Sequence, residues 1–228
     1  MTERLISLFI KYPLDYISHI FLLLPVIIGF YRQKYLSNVL KGFVLFFIVR
    51  FSEENVLLYY SLNRMNSMGL QKVFMVVDVF LLIFFYYLLF KHRSGSLKVL
   101  FLLGGLIESA LLIHLLLYSK TGVSGSIGRF FMITIALLYY NVILQENKIR
   151  NILYHSMFWI NAGFLVYAMG TFMTSLFIDY LIDSTKISNN MFDLFWNMSQ
   201  IIICIQCILT AIGMYFAKEE RTNQLSSV

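Results

Sequence analysis

Seven apolar runs, each close to the length a helix needs to cross a bilayer, constrain this chain more than any other feature of its sequence. A hydrocarbon core about 30 Å thick takes roughly 20 residues of α-helix. The runs cover residues 14–31, 42–62, 73–90, 97–118, 127–144, 152–178 and 191–216. The short polar clusters between them suit antiparallel neighbours in one bundle. Composition agrees: 59% of the 228 residues are hydrophobic and only 13% are charged, against about half and a quarter in a soluble domain. The expected fold is all-α, a polytopic membrane bundle of seven transmembrane helices in a single domain, 1–228. The tails, 1–13 and 217–228, are too small to fold alone. Glu3 and Arg4 precede an interrupted apolar stretch without a small-residue cleavage site. That pattern reads as a mature start and not as a removed signal.

Orientation follows from Lys and Arg at the helix ends. One side collects ten: Arg32, Lys34, Lys41, Lys91, Arg93, Lys98, Lys148, Arg150, Lys218 and Arg221. The other collects six: Arg4, Lys11, Arg64, Lys72, Lys120 and Lys186. The bias places the N-terminus outside and the C-terminus in the cytoplasm. The net charge of +6 is then a topology signal, and nucleic-acid binding is a poor reading of it.

Ionisable residues within the runs carry the functional expectation, because the bilayer penalises each by at least ~2.5–3.5 kcal/mol at a helix centre. The second run holds Arg50, Glu53 and Glu54. At 100° per residue, both carboxylates fall within about 60° of the arginine. The fourth run holds Glu108 after Gly104 and Gly105, the third Asp78, the fifth Arg129, and the first Asp15 and His19. All lie at the midplane or in its outer half. The pattern predicts an outward-facing polar, acidic pocket in which Glu53, Glu54 and Glu108 converge on Arg50, with Asp78 approaching from the third helix. The competing reading is an internal Arg50–Glu54 ion pair that only fixes the docking of the second helix.

Asp193, Asn197, Gln200, Cys204, Cys207 and Ala211 share one stripe of the seventh run. Gly163, Tyr167, Gly170, Thr171 and Thr174 share one stripe of the sixth. Such stripes suit close helix packing, with Asn197 and Gln200 the two expected on a cavity wall. Trp159 and Trp196 read as interface or packing aromatics. Cys204 and Cys207 form a CxxC inside an apolar helix with no second pair, so no metal or redox role is expected. Among His19, His92, His114 and His155, only His19 and His114 share the outer half, too few for a three-nitrogen zinc site. No GxSxG, HExxH or phosphate-binding glycine loop occurs. The seventh run also lacks a lysine before Lys218 that could carry a retinal Schiff base. No catalytic residue, metal or cofactor is expected.

The stretch SIGRFFMITIALLYYNVIL, followed by HSMFWINAGFLVYAMGTFM, resembles small seven-helix integral membrane proteins of the Bacteroidota. The acidic positions of the second and third runs fit that group as well. Members are often encoded near signalling histidine kinases, so the resemblance implies a sensory role. The leading expectation is therefore a ligand-binding or sensory membrane module. Its expected partners are membrane lipids, a small-molecule ligand and a membrane signalling protein. A small-solute or proton-coupled transporter is the first alternative, although Pro25 alone gives little sign of the broken helices that transporters use. A membrane-embedded hydrolase acting on a lipidic substrate is the second.

Overall fold

The computed structural model describes residues 6, 9–91, 94–117, 122–145, 152–181 and 188–225. Of the positions discussed above, Glu3, Arg4, His92, Arg93, Lys120, Lys148, Arg150 and Lys186 lie outside the described residues, as does the side chain of Arg221. Helices α1 (Pro13–Phe21) and α2 (Leu23–Tyr31) make up the first run. Next come α3 (Asn38–Leu62), α4 (Met68–Phe90), α5 (Ser94–Leu117) and α6 (Gly122–Gln145). A 3-10 turn (Ile152–Tyr154) then leads into α7 (Ser156–Leu181) and α8 (Asn189–Leu225). No strand occurs among the described residues.

Six units are long and apolar enough to cross a membrane: α1 with α2, then α4, α5, α6, α7 and α8. The chain is a multi-pass membrane protein. The seventh expected span, α3, has ample length at 25 residues, but Arg50, Glu53 and Glu54 set it apart from the other six in composition.

The helix ends follow local chemistry. Pro13 opens α1 at a position where a missing N–H costs nothing. Ser37 caps α3 by accepting from the Leu40 amide at 3.3 Å. At the other end of α3, the Arg64 amide bonds the Ser61 carbonyl and the Met65 amide bonds the Tyr60 carbonyl. Arg64 takes a φ of 56° to close that double-bonded cap.

Two features depart from the run lengths. The first run is broken at Leu22, because Pro25 has no N–H for the Phe21 carbonyl and cannot continue the ladder there. In addition, α8 extends past residue 216 through KEERTNQL, which is rich in good helix formers. Its 37 residues make a rod about 55 Å long, well beyond the hydrocarbon thickness.

The order of neighbours decides where the site lies. Helix α8 packs against α7 and against both α1 and α2; α7 packs on α6, α6 on α4, α4 on α3, and α3 on α2. This ring surrounds a common centre. Helix α5 sits outside it in the groove between α4 and α6, and it is the least buried of the candidate spans.

Toward the end of the bundle where α3 begins, aromatic rings close the centre. Phe43, Phe46 and Phe47 from α3 meet Phe164 of α7 at 5.4–6.3 Å between ring centroids. Phe43 also meets Phe85 and Tyr86 of α4. Within this layer the Tyr86 hydroxyl donates to the Asn161 side-chain oxygen, tying α4 to α7. The α7–α8 seam is the most extensive in the fold, and the small-residue stripes explain it. A Cβ at Gly163 would lie 3.0 Å from the Gln206 carbonyl, and one at Gly213 would lie 2.6 Å from the Ser156 carbonyl.

Candidate functional site

Arg50 projects from α3 into the centre of the ring. Its Nη1 donates to Asp78 Oδ2 of α4 at 2.8 Å and to Glu53 Oε2 at 3.2 Å. Nη2 reaches Glu54 Oε1 at 3.6 Å, an ion-pair distance longer than a hydrogen bond. Glu53 and Asp78 are buried, whereas the Glu54 side chain is 35% exposed. The closest partner of Arg50 is therefore on another helix, not one turn along its own as expected.

Arg129 of α6 enters from the opposite wall. Its Nη2 donates to the Tyr167 hydroxyl at 2.7 Å, its Nε donates to Thr171 Oγ1 at 3.2 Å, and the guanidinium lies 5.1 Å from the Tyr167 ring centroid. Thr171 in turn donates to the Tyr167 carbonyl at 2.7 Å. Among the described residues no carboxylate is within ion-pair distance of Arg129, but it is close enough to act on Asp78. Asp78 thus feels both arginines.

A small space lies between these groups, lined by Leu22, Arg50, Asp78, Met132, Tyr167 and Gln206, with Phe46, Phe47 and Ile203 around them. It has room for about one water molecule. Its walls come from α3, α4, α6, α7, α8 and the break between α1 and α2. Two buried oxygens of the cluster, Glu53 Oε1 and Asp78 Oδ1, have no hydrogen-bond partner. Three carboxylates (Glu53, Glu54 and Asp78) stand against two guanidiniums, so the cluster carries one uncompensated negative charge or holds one proton.

The other expected residues are placed as follows. Glu108 does not join Glu53 and Glu54. Its helix, α5, is outside the ring, and both Glu108 oxygens are buried without a partner. The expected convergence across the second and fourth helices is therefore corrected, since α4 stands where adjacency of α3 and α5 was expected. Gln200 is buried and accepts from Ser18 Oγ at 2.6 Å, which ties α8 to α1. Asn197 is half-buried one turn earlier on α8 and does not line the central space. Trp196 does more than pack, since its Nε1 donates to Asp15 Oδ1 at 2.5 Å. Asp15 lies within electrostatic range of Glu54, so an acidic chain leads from the centre toward the end of the bundle where α1 begins. His19 meets Phe51 edge-on at 4.8 Å.

Several polar groups escaped the sequence reading. Gln206, one residue before Cys207 and off its stripe, lines the space. Tyr167 and Thr171 carry Arg129, although they read as packing residues. Near the end of the bundle where α6 begins, Ser124 Oγ lies 3.1 Å from His114 Nδ1, and Asp179 accepts from the Gly122 amide at 3.3 Å. Lys72 is buried in the same region. Among the described residues, no group of three or more His, Cys, Asp and Glu is gathered as metal ligands. Cys207 is fully buried and belongs to the core. No protein-family model matches the chain, and comparison with curated proteins and with solved structures gives no match.

Proposed function

We propose that the chain is a seven-span protein of a bacterial inner membrane, with its N-terminus outside and its C-terminus cytoplasmic. In this reading it is a sensory module whose ligand is a proton. α3 counts as the seventh span: it is about 37 Å long by helix rise, lies between α2 and α4 in the ring, and turns its charges inward. The observation that carries the reading is the combination of an odd carboxylate with a water-sized space. A metabolite has no room there, and an unpaired carboxylate at the bilayer centre is expensive, so the cluster is suited to taking up a proton. Asp78 faces both arginines and stays ionised, while the proton resides on Glu53. The resemblance to proteins encoded near signalling kinases supports an output through a membrane partner. α8 offers the route, because Gln206 lines the space and the same rod continues past the membrane.

Transport is the second reading, favoured by the break at Leu22. A broken helix at mid-membrane beside an ion site is a recurrent feature of carriers. Two measurements on protein reconstituted in vesicles separate the readings. Hydrogen exchange of residues 215–225, corrected for intrinsic rates, should change between mildly acidic and mildly alkaline pH, and Glu53→Gln should abolish that change. A pH-sensitive dye trapped inside should report no protein-dependent proton flux. Flux lost in Glu53→Gln would establish the carrier reading instead, and exchange indifferent to both pH and Glu53→Gln would remove the proton site.

A further inference from the structure

We propose that Glu108 is a second proton-binding carboxyl, independent of the central cluster and just beneath the lipid-facing surface, and therefore a site of covalent modification by hydrophobic carbodiimides. Both of its oxygens are buried and neither has a hydrogen-bond partner. Gly104 lies against Ile83 of the antiparallel α4, so Glu108, one turn further on, comes level with about Val79, deep in the span.

The ionisable groups on the two helices packed against α5 are all engaged elsewhere. On α4, Asp78 is bonded to Arg50, Tyr86 to Asn161, and Lys72 lies near His114, more than a turn away. Tyr87 is set against Phe101. On α6, Arg129 is held by Tyr167 and Thr171, and Tyr140 donates to the Phe158 carbonyl at 3.0 Å. Tyr139 lies in the aromatic layer with Tyr86 and Phe90. On α5 itself, the Ser109 hydroxyl donates to the Gly105 carbonyl at 2.7 Å and does not serve Glu108. An unpaired carboxylate in this setting would carry the full desolvation penalty, so the group is held as the neutral acid.

Access is a separate observation. A Cβ at Gly105, on the turn before Glu108, would meet nothing within 4 Å, and Ser109 and Leu112 are exposed. The lipid-facing surface of α5 therefore runs directly beside the carboxyl. A hydrophobic carbodiimide that reaches the acid from the lipid side reacts without a further reagent. The acid O–H adds across one C=N bond, the proton going to nitrogen and the carboxyl oxygen to carbon, and gives an O-acylisourea. The acyl group then migrates from oxygen to nitrogen to leave a stable N-acylurea, with no leaving group and no change in oxidation state.

The test uses the full chain in vesicles at neutral pH, treated with N,N′-dicyclohexylcarbodiimide and mapped by peptide mass spectrometry. The adduct should appear on Glu108 and be absent from the same peptide in Glu108→Gln. A water-soluble carbodiimide should leave that residue unmodified. Gly105→Leu, which adds bulk on the exposed face one turn before the carboxyl, where a Cβ meets nothing within 4 Å, should slow the labelling severalfold while the protein stays folded. Wild-type protein unlabelled at Glu108, or Gly105→Leu labelled as fast as wild type, would overturn the proposal. Neither outcome touches the Glu53 site, whose own test reads a different residue.

Discussion

Arg50 reaches Asp78 at 2.8 Å but Glu54 only at 3.6 Å, and this difference orders what substitutions there should do. Arg50→Leu strands two buried carboxylates and should destabilise the protein by about 3–5 kcal/mol. Adding Asp78→Leu should recover much of that loss, because the stranded charge leaves with the arginine. Adding Glu54→Leu should recover little, since a third of that side chain is already exposed and such contacts are worth little. Equilibrium unfolding of the three variants in one detergent ranks them. Equal recovery by both double variants would mean that the pairing is wrong. Spacing made Arg50, Glu53 and Glu54 legible as a group, because three- and four-residue separations share a helix face whatever the tertiary fold. Asp78 was expected to approach that group from the third run, but not to be the closest partner of Arg50. Twenty-eight residues separate it from Arg50, and nothing local says which face of α4 meets α3. Glu108 was misplaced for the same reason. A single sequence fixes a residue's depth and helix face but not the neighbour that face will meet, and here α4 and α6 screen α5 from the centre.

At the scale of helices, the run lengths foretold every long element, because lipid leaves the backbone no partner but itself. What they missed came from outside the hydrocarbon or from one residue. α8 continues beyond its apolar run because polar residues propagate a helix in water as well as apolar ones do in lipid, and hydropathy does not register them. The break between α1 and α2 comes from a single missing N–H at Pro25, which a count of prolines undervalued. Packing between helices makes a sharper expectation. Gly213→Ala places a methyl group 2.6 Å from the Ser156 carbonyl and 2.8 Å from Ile160, and the backbone cannot yield easily there. It should cost about 1–3 kcal/mol, as overpacking does. Gly105→Ala meets nothing within 4 Å and should be neutral or stabilising by up to about 1 kcal/mol, through helix propensity. Thermal unfolding of the pair checks both; equal effects would mean that the α7–α8 seam is not the tight one.

As a whole, the molecule is a ring of helices around one water-sized polar centre, closed toward one end by aromatic side chains and joined toward the other to Asp15 and Trp196. Orientation decides which side can reach that centre. The ten-to-six excess of basic residues leads us to expect activity from a cytoplasm-dependent reporter fused after Val228 and none from the same reporter fused before Met1. The reverse pattern would turn the acidic end inward and make the site sample cytoplasmic pH. The proposed proton at the centre is open to direct observation, because a neutral carboxylic acid has a C=O stretch in the infrared distinct from that of a carboxylate. The measurement belongs in the Glu108→Gln background, which removes the other neutral acid inferred above. There, at neutral pH, one protonated-acid band should be present, should shift on exchange into heavy water, and should vanish when Glu53→Gln is added. No such band, or a band that persists unchanged in Glu53→Gln, would contradict a proton held between Arg50, Glu53 and Asp78.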